Sequence, residues 1–200
     1  MARPSKSKPD NEIKTLKARL LKLLYKKSFR QSPEAIYRLA SGRMSPYYMD
    51  AKKTTLDPEG AFLVGKIIFL LIRDLRTDGV GGLTLGADPI AQAVSVISFI
   101  ENQPIPAFIV RKEPKGHGTQ AWLEGDLPTG ARVVVVEDVV TTAASTLKAI
   151  ERLKEAGHAV IKVIALVDRQ EGGEQNLTKE GYALDSLFRL DDFKVLPTST

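Results

Sequence analysis

Val133-Val134-Val135-Val136-Glu137-Asp138-Val139-Val140-Thr141-Thr142-Ala143-Ala144-Ser145 decides how the rest of this chain is read. Four β-branched residues in a row, with nothing polar between them, predict a strand buried on both faces. The strand runs into adjacent carboxylates, then threonines and small residues, then a stretch with Leu147, Ile150 and Leu153 at helical spacing before Gly157. The start of a helix carries unpaired N–H donors and the positive end of the helix dipole. Thr141 to Ser145 therefore form a seat for an anion such as phosphate. Glu137 and Asp138 offer acceptor oxygens, suited to neighbouring sugar hydroxyls or to a hydrated Mg²⁺. Like charges at a buried strand end repel, and a cation or polar ligand relieves that cost. A phosphate and a diol at one loop point to a ribose 5-phosphate.

The same order of strand, loop and helix recurs outward from this stretch. Pro106 to Val110 and Val160 to Val167 read as strands, the second ending in Asp168-Arg169. Val80 to Leu85 reads as a shorter one. Ile13, Leu16, Leu20, Leu23 and Leu24 have helical spacing over 11–27, with lysines on the opposite, solvent-facing side. Asp57-Pro58 and Asp88-Pro89 each suggest an N-cap followed by Pro at the first helical position. For Asp88 that gives a capping role rather than a catalytic one. Residues 177–190 are expected to be weakly helical. Alternating strands and helices predict an α/β fold with a parallel sheet and ligands at the strand carboxyl ends.

Two segments interrupt this alternation. Ser41-Gly42-Arg43-Met44-Ser45-Pro46-Tyr47-Tyr48 is punctuated by Gly and Pro, and adjacent tyrosines in an extended segment face opposite sides. Lys52 and Lys53 follow and read as surface residues. Arg111-Lys112-Glu113-Pro114-Lys115-Gly116-His117-Gly118 holds three cations and a histidine within seven residues. No apolar periodicity runs through it, and its glycines permit large backbone changes. Such a loop can bring charge to a polyphosphate and then release it.

Composition narrows the field. Two hundred residues, 43% hydrophobic, can bury one sizeable core. We expect a basic flexible tail over 1–10 and a single domain over 11–200. The tail lacks the apolar run of a secretory signal, and no apolar stretch is long enough for a membrane span. With no cysteine, disulfides and thiolate metal sites are excluded, which is compatible with a cytoplasmic location. The net charge of +5 is modest, and nucleic acid is not an expected partner. No Walker A lysine and no GxGxxG after a strand are found, which disfavours triphosphate hydrolysis and dinucleotide binding.

Residues 133–145 resemble the phosphoribosyl diphosphate signature of type I phosphoribosyltransferases. The 111–118 loop, the Ser-Gly-Arg-Met-Ser-Pro-Tyr-Tyr segment and Asp168-Arg169 resemble the orotate-using family within that group. The resemblance spans roughly 30–170. It implies the type I phosphoribosyltransferase fold: a mainly parallel central sheet flanked by helices, with a small N-terminal hood. It also implies transfer of ribose 5-phosphate from phosphoribosyl diphosphate to N1 of orotate, in pyrimidine biosynthesis. Mg²⁺ would be the cofactor, held mainly through the substrate.

By the same resemblance, Glu137, Asp138, Val139, Val140, Thr141, Thr142, Ala143, Ala144 and Ser145 hold the ribose phosphate. Arg111, Lys112, Lys115 and His117 meet the diphosphate, with Lys115 and His117 catalytic. Thr141 and Arg169 contact orotate. A mobile loop over about 111–124 would reach the neighbouring site of a homodimer. The chain departs from some family members, with Ala40 in place of a lysine and Asp88-Pro89 in place of a Tyr-Lys-Gly; fewer cations reach the pyrophosphate from those two places, and Lys52 and Lys53 are the candidates to compensate. The rival readings are a phosphoribosyltransferase for another base and a non-catalytic sensor of phosphoribosyl diphosphate with a nucleic-acid-binding basic face.

Overall fold

Val133 to Val136 are each at most 1% exposed and sit in the middle of a six-stranded sheet. The computed structural model describes residues 7–38, 42–114 and 122–195. Strand β8 (Arg132–Val140) lies between β5 (Gly79–Leu83) and β9 (Ala159–Asp168), parallel to both. β6 (Ala107–Val110) extends the sheet beyond β5, and β10 (Leu184–Arg189) extends it beyond β9, again in parallel. The short β7 (Leu123–Glu124) closes the β6 edge antiparallel. A strand's side chains alternate between faces. Val134 and Val136 accordingly join the core under α1 (Ser7–Lys27), α3 (Pro58–Ile72) and α4 (Asp88–Ile100). Val133 and Val135 join Ala149, Ile150 and Leu153 of α5 (Ala144–Glu155) and Leu177 of α6 (Gly173–Lys179). The apolar run reads as it does because both faces are covered.

Four short strands make the hood. β1 (Phe29–Gln31) pairs with β4 (Tyr47–Met49), and β2 (Tyr37–Arg38) pairs with β3 (Met44–Ser45), both antiparallel. A one-turn helix, α2 (Lys52–Thr55), connects the hood to α3. Asp57 caps α3 as expected, accepting from the Glu59 and Gly60 amides, with Pro58 at the first helical position. The hood is joined to the core through aromatic rings. Phe29 lies 5.6 Å from Tyr25, 6.0 Å from Tyr47 and 5.5 Å from Phe193 of the C-terminal helix α7 (Leu190–Lys194).

Three expectations change. Helix α1 begins at Ser7 rather than at 11, so residues 7–10 belong to it and not to the tail; Asp10 in its first turn suits the helix dipole. Only Gly173–Lys179 is helical in the region near 177–190, whereas Leu184–Arg189 is the strand β10. Its pairing with β9 supplies a backbone partner that outweighs a mixed local pattern. The loop expected over 111–124 is anchored at both ends. The Arg111 amide donates to the Trp122 carbonyl at 2.8 Å, and Leu123–Glu124 pairs with β6.

Phe193 is fully buried against Phe29 and Phe188. Phe193→Ala should cost about 3–5 kcal/mol, since a buried ring is replaced by a cavity. In a chain of this size that corresponds to a fall in Tm of roughly 10 °C in a thermal melt.

Candidate functional site

The carboxylates at the end of β8 are buried, Glu137 at 6% and Asp138 at 8% exposure. Thr146, in the first turn of α5, donates its hydroxyl to Glu137 Oε2 at 3.4 Å. Asp138 Oδ1 accepts from the Val139 amide at 2.8 Å, and Oδ2 meets Lys52 Nζ at 3.2 Å. Burial above all, and then the charge of Asp138, push the Glu137 carboxyl up to about 8. Glu137 is therefore mostly protonated at neutral pH, and that proton, together with Lys52, relieves the repulsion between the carboxylates. Ribose hydroxyls that donate to this pair would favour its ionised form.

The turn after β5 closes on the pair from the side. A Cβ at Gly86 would sit 2.5 Å from Asp138 Oδ1 and 2.9 Å from Glu137 Oε1, so only glycine fits there without moving a carboxylate. Asp88 does not act as the helix cap that its sequence suggested. Ala87 is the N-cap of α4 in right-handed helical geometry, with no side-chain cap bond. Asp88 instead accepts from Thr84 Oγ1 at 2.7 Å, fastening the turn across its base.

Beyond the carboxylates, the chain turns sharply into α5. Ala143 is its N-cap at φ 64°, ψ 14°, and no side chain caps the helix. The first amides of α5 are therefore oriented toward an incoming anion. Thr142, Ala144 and Ser145 are exposed around them, and Asn176 of α6 donates to the Thr142 carbonyl at 3.0 Å. Thr141 is half-buried beside the start of α6. Val139 and Val140 enter the site through their backbone. The Val140 side chain is core, and its carbonyl accepts from the Arg169 amide at 2.9 Å.

Arg169, at the end of β9, is 4% exposed. Its partner is Glu171, Nε to Oε1 at 2.8 Å, while Asp168 accepts from the Gln170 amide instead. Glu171 Oε2 also holds Arg43 of the hood at 2.9 Å, and Arg169 Nη2 reaches the Tyr47 carbonyl at 3.4 Å. One carboxylate thus joins the hood to Arg169. Across the sheet, Arg111 pairs with Glu124 at 3.1 Å and donates from Nε to the Glu113 carbonyl at the same distance. Arg111 and Lys112 line a cleft of about 380 Å³ with Thr84, Ile109, Glu113 and Glu124. Lys115 and His117 lie outside the described residues.

Sequence reasoning missed Thr146, Glu171 and the Asp138 contact of Lys52. Thr146 carried a weak signal, as a hydroxyl in the first turn of the helix that follows the acids. Glu171, two residues beyond Arg169, offered opposite charge at turn spacing. Lys52 stood among the candidate cations, but its contact with Asp138 gave no signal, because that partner lies far along the chain. Among the described residues no helix is long and apolar enough to cross a membrane.

The sequence profile of the phosphoribosyl transferase domain matches residues 64–187. The orotate phosphoribosyltransferase of Aquifex aeolicus is 49% identical over 174 residues, 87% of this chain and 95% of that one. That of Nostoc is 48% identical over 184 residues, 92% of this chain and 87% of that one. Among solved structures, Mycobacterium tuberculosis orotate phosphoribosyltransferase in complex with 5-phospho-α-D-ribosyl 1-diphosphate superposes with a TM-score of 0.73 at 36% identity. The match covers 90% of this chain and 99% of the other. The Aeropyrum pernix orotate phosphoribosyltransferase gives 0.71 at 34% identity, covering 87% of this chain and 95% of that one.

The raised Glu137 carboxyl has a measurable consequence. Between its ordinary value of 4.5 and about 8, the folded protein keeps a proton that the unfolded chain releases. Stability should therefore fall as pH rises through that window and level off above it. Glu137→Gln should flatten this dependence, with a Tm gain on the order of 5 °C at pH 8.5 and little gain at pH 4, read by thermal melts across the series. Gly86→Ala should cost turnover ~10²-fold through displaced carboxylates, with a much smaller effect on Tm, measured by parallel kinetics and melts.

Proposed function

This chain belongs to the phosphoribosyl transferase domain family, among its orotate phosphoribosyltransferases, and we propose that it converts phosphoribosyl diphosphate and orotate to orotidine 5′-phosphate and pyrophosphate. The reading is carried by the order of receptors along the strand tips. Arg169 stands at the end of β9; the carboxylates and phosphate seat follow β8; Gly86 follows β5; Arg111 follows β6. That order matches base, ribose phosphate and diphosphate.

In the proposed reaction the bond from ribose C1 to the diphosphate oxygen breaks, and its electron pair leaves with pyrophosphate. A bond forms from N1 of orotate to C1, and the N1 proton is lost. The amides at the start of α5, with Thr141, Thr142 and Ser145, hold the 5′-phosphate. Glu137 and Asp138 orient the ribose hydroxyls, and their negative charge favours the oxocarbenium-like transition state. Arg169 offers a guanidinium fork suited to the planar carboxylate of orotate, and Glu171 and the Tyr47 carbonyl fix its plane. Arg111, Lys112, Lys115 and His117 offset the charge that grows on the departing pyrophosphate.

Mg²⁺ belongs to this proposal as a companion of the diphosphate. The ion would be coordinated chiefly by phosphate oxygens and water. Its contribution would be to neutralise phosphate charge. A homodimer completes the reading. Val96, Phe99 and Ile100 of α4 are 49%, 75% and 64% exposed, an apolar face suited to a second copy. A cytoplasmic setting and a role in pyrimidine synthesis accord with this chemistry.

The deciding assay supplies phosphoribosyl diphosphate, Mg²⁺ and one base at a time. Pyrophosphate release is expected with orotate and not with uracil, adenine or guanine. Release with a purine would redirect the assignment, and binding of phosphoribosyl diphosphate without turnover on any base would favour a sensor. Arg169→Gln should raise the KM for orotate by ~10²-fold, since a charged partner of the carboxylate is lost. Mixing inactive Lys115→Ala subunits with inactive Arg169→Ala subunits under exchange should restore part of the activity; no recovery despite proven exchange would count against a loop shared across the dimer.

A further inference from the structure

Lys52 reaches the carboxylate pair from α2. Its ammonium lies 3.2 Å from Asp138 Oδ2 and 3.4 Å from Asp50 Oδ1. The other oxygen of Asp138 faces Gly86, so Lys52 and the turn after β5 meet on one carboxylate. α2 packs on α3 and α4, and α4 packs on β5 and β6. α2 is thus joined to the helix that begins just after the Gly86 turn.

Its anchorage is unequal. The backbone beneath it is held firmly: Thr54 is fully buried, bonds the Ser28 hydroxyl at 2.7 Å, and packs against Gly60, where a Cβ would lie 1.9 Å from the Thr54 carbonyl. The side chain of Lys52 is 46% exposed, and its contacts of 3.2 and 3.4 Å exceed the about 2.7–2.9 Å of a tight charge-assisted bond. A flexible stem on a fixed base can exchange partners with little reorganisation. Burial disfavours its charge, yet Asp138 and Asp50 outweigh burial and raise its pKa, so it remains a cation. Arg111 and Arg169, by contrast, are tied to Glu124 and Glu171.

We propose that Lys52 is a further substrate-binding residue, which rests on Asp138 and transfers to a diphosphate oxygen when phosphoribosyl diphosphate binds. The exchange serves two ends. Asp138 turns its freed oxygen to the ribose hydroxyls, and the ammonium follows the charge that develops on the leaving group. The inference rests on the proposed reaction for the identity of the anion.

The test uses the full chain with Lys52→Met, Lys52→Arg and Lys53→Met. Affinity for Mg²⁺–pyrophosphate is measured by titration calorimetry, and kcat and KM by steady-state kinetics. Lys52→Met should weaken pyrophosphate binding about tenfold and lower kcat by ~10²-fold, with the KM for orotate little changed. Lys52→Arg should recover most of both losses, and Lys53→Met should behave as the parent. Unchanged pyrophosphate affinity in Lys52→Met overturns the proposal. So do equal losses in the Arg and Met variants with a lowered Tm, which mark a packing role. If the parent binds pyrophosphate but releases none with orotate, the assigned base is wrong; a loss of pyrophosphate affinity in Lys52→Met then still supports Lys52. A parent that binds no pyrophosphate overturns both.

Discussion

Two neighbouring carboxylates are buried at the tip of a central strand, and their mutual repulsion is the constraint around which the structure is arranged. Moving a charge out of water is costly unless it is paired or neutralised. Glu137 meets that condition by keeping a proton, and Asp138 by facing Lys52 and an amide. Gly86 is small because the carboxylates fill the space that a side chain would occupy. Thr146 turns inward to donate a bond. Each adjustment comes from a different element, so the geometry of the site depends on the packing of all of them.

The strand itself needs a particular setting to hold such a pair. Parallel neighbours on both sides, β5 and β9, satisfy its backbone, and helices cover both faces. At the carboxyl end of the sheet, consecutive strand tips bring their loops together. The hood then adds the Tyr47 carbonyl, and α2, which follows it, adds Lys52. Its Arg43 shares Glu171 with Arg169, so the hood and the end of β9 are held by one side chain.

Much of this was legible wherever the signal was local. The valine run, the acids, the small-residue loop and the helix spacing of Leu147, Ile150 and Leu153 fall within one short window and fix each other's meaning. The cap of α3 was readable for the same reason, since Asp57 acts on amides two and three residues away. Asp88 shows the limit of such a reading. The same Asp-Pro pair shifts by one position, because Thr84 offers the carboxylate a partner across the turn. β10 was missed because its partner, β9, lies outside its own window. The contacts of Lys52 with Asp138 and of Glu171 with Arg43 became visible only when folding brought these residues together.

Ala143 carries a consequence of its own. A non-glycine residue in the left-handed region costs roughly 1–2 kcal/mol, and glycine would remove that strain. Glycine would also widen the range of shapes open to the loop, in the unfolded chain and around the native turn. The methyl group is 4% exposed and packed into the core beneath α5, which narrows that range to one. The chain thus exchanges a little stability for preorganisation: the amides ahead of α5 are ordered at the moment of folding, and an anion binding there would have that much less entropy to remove.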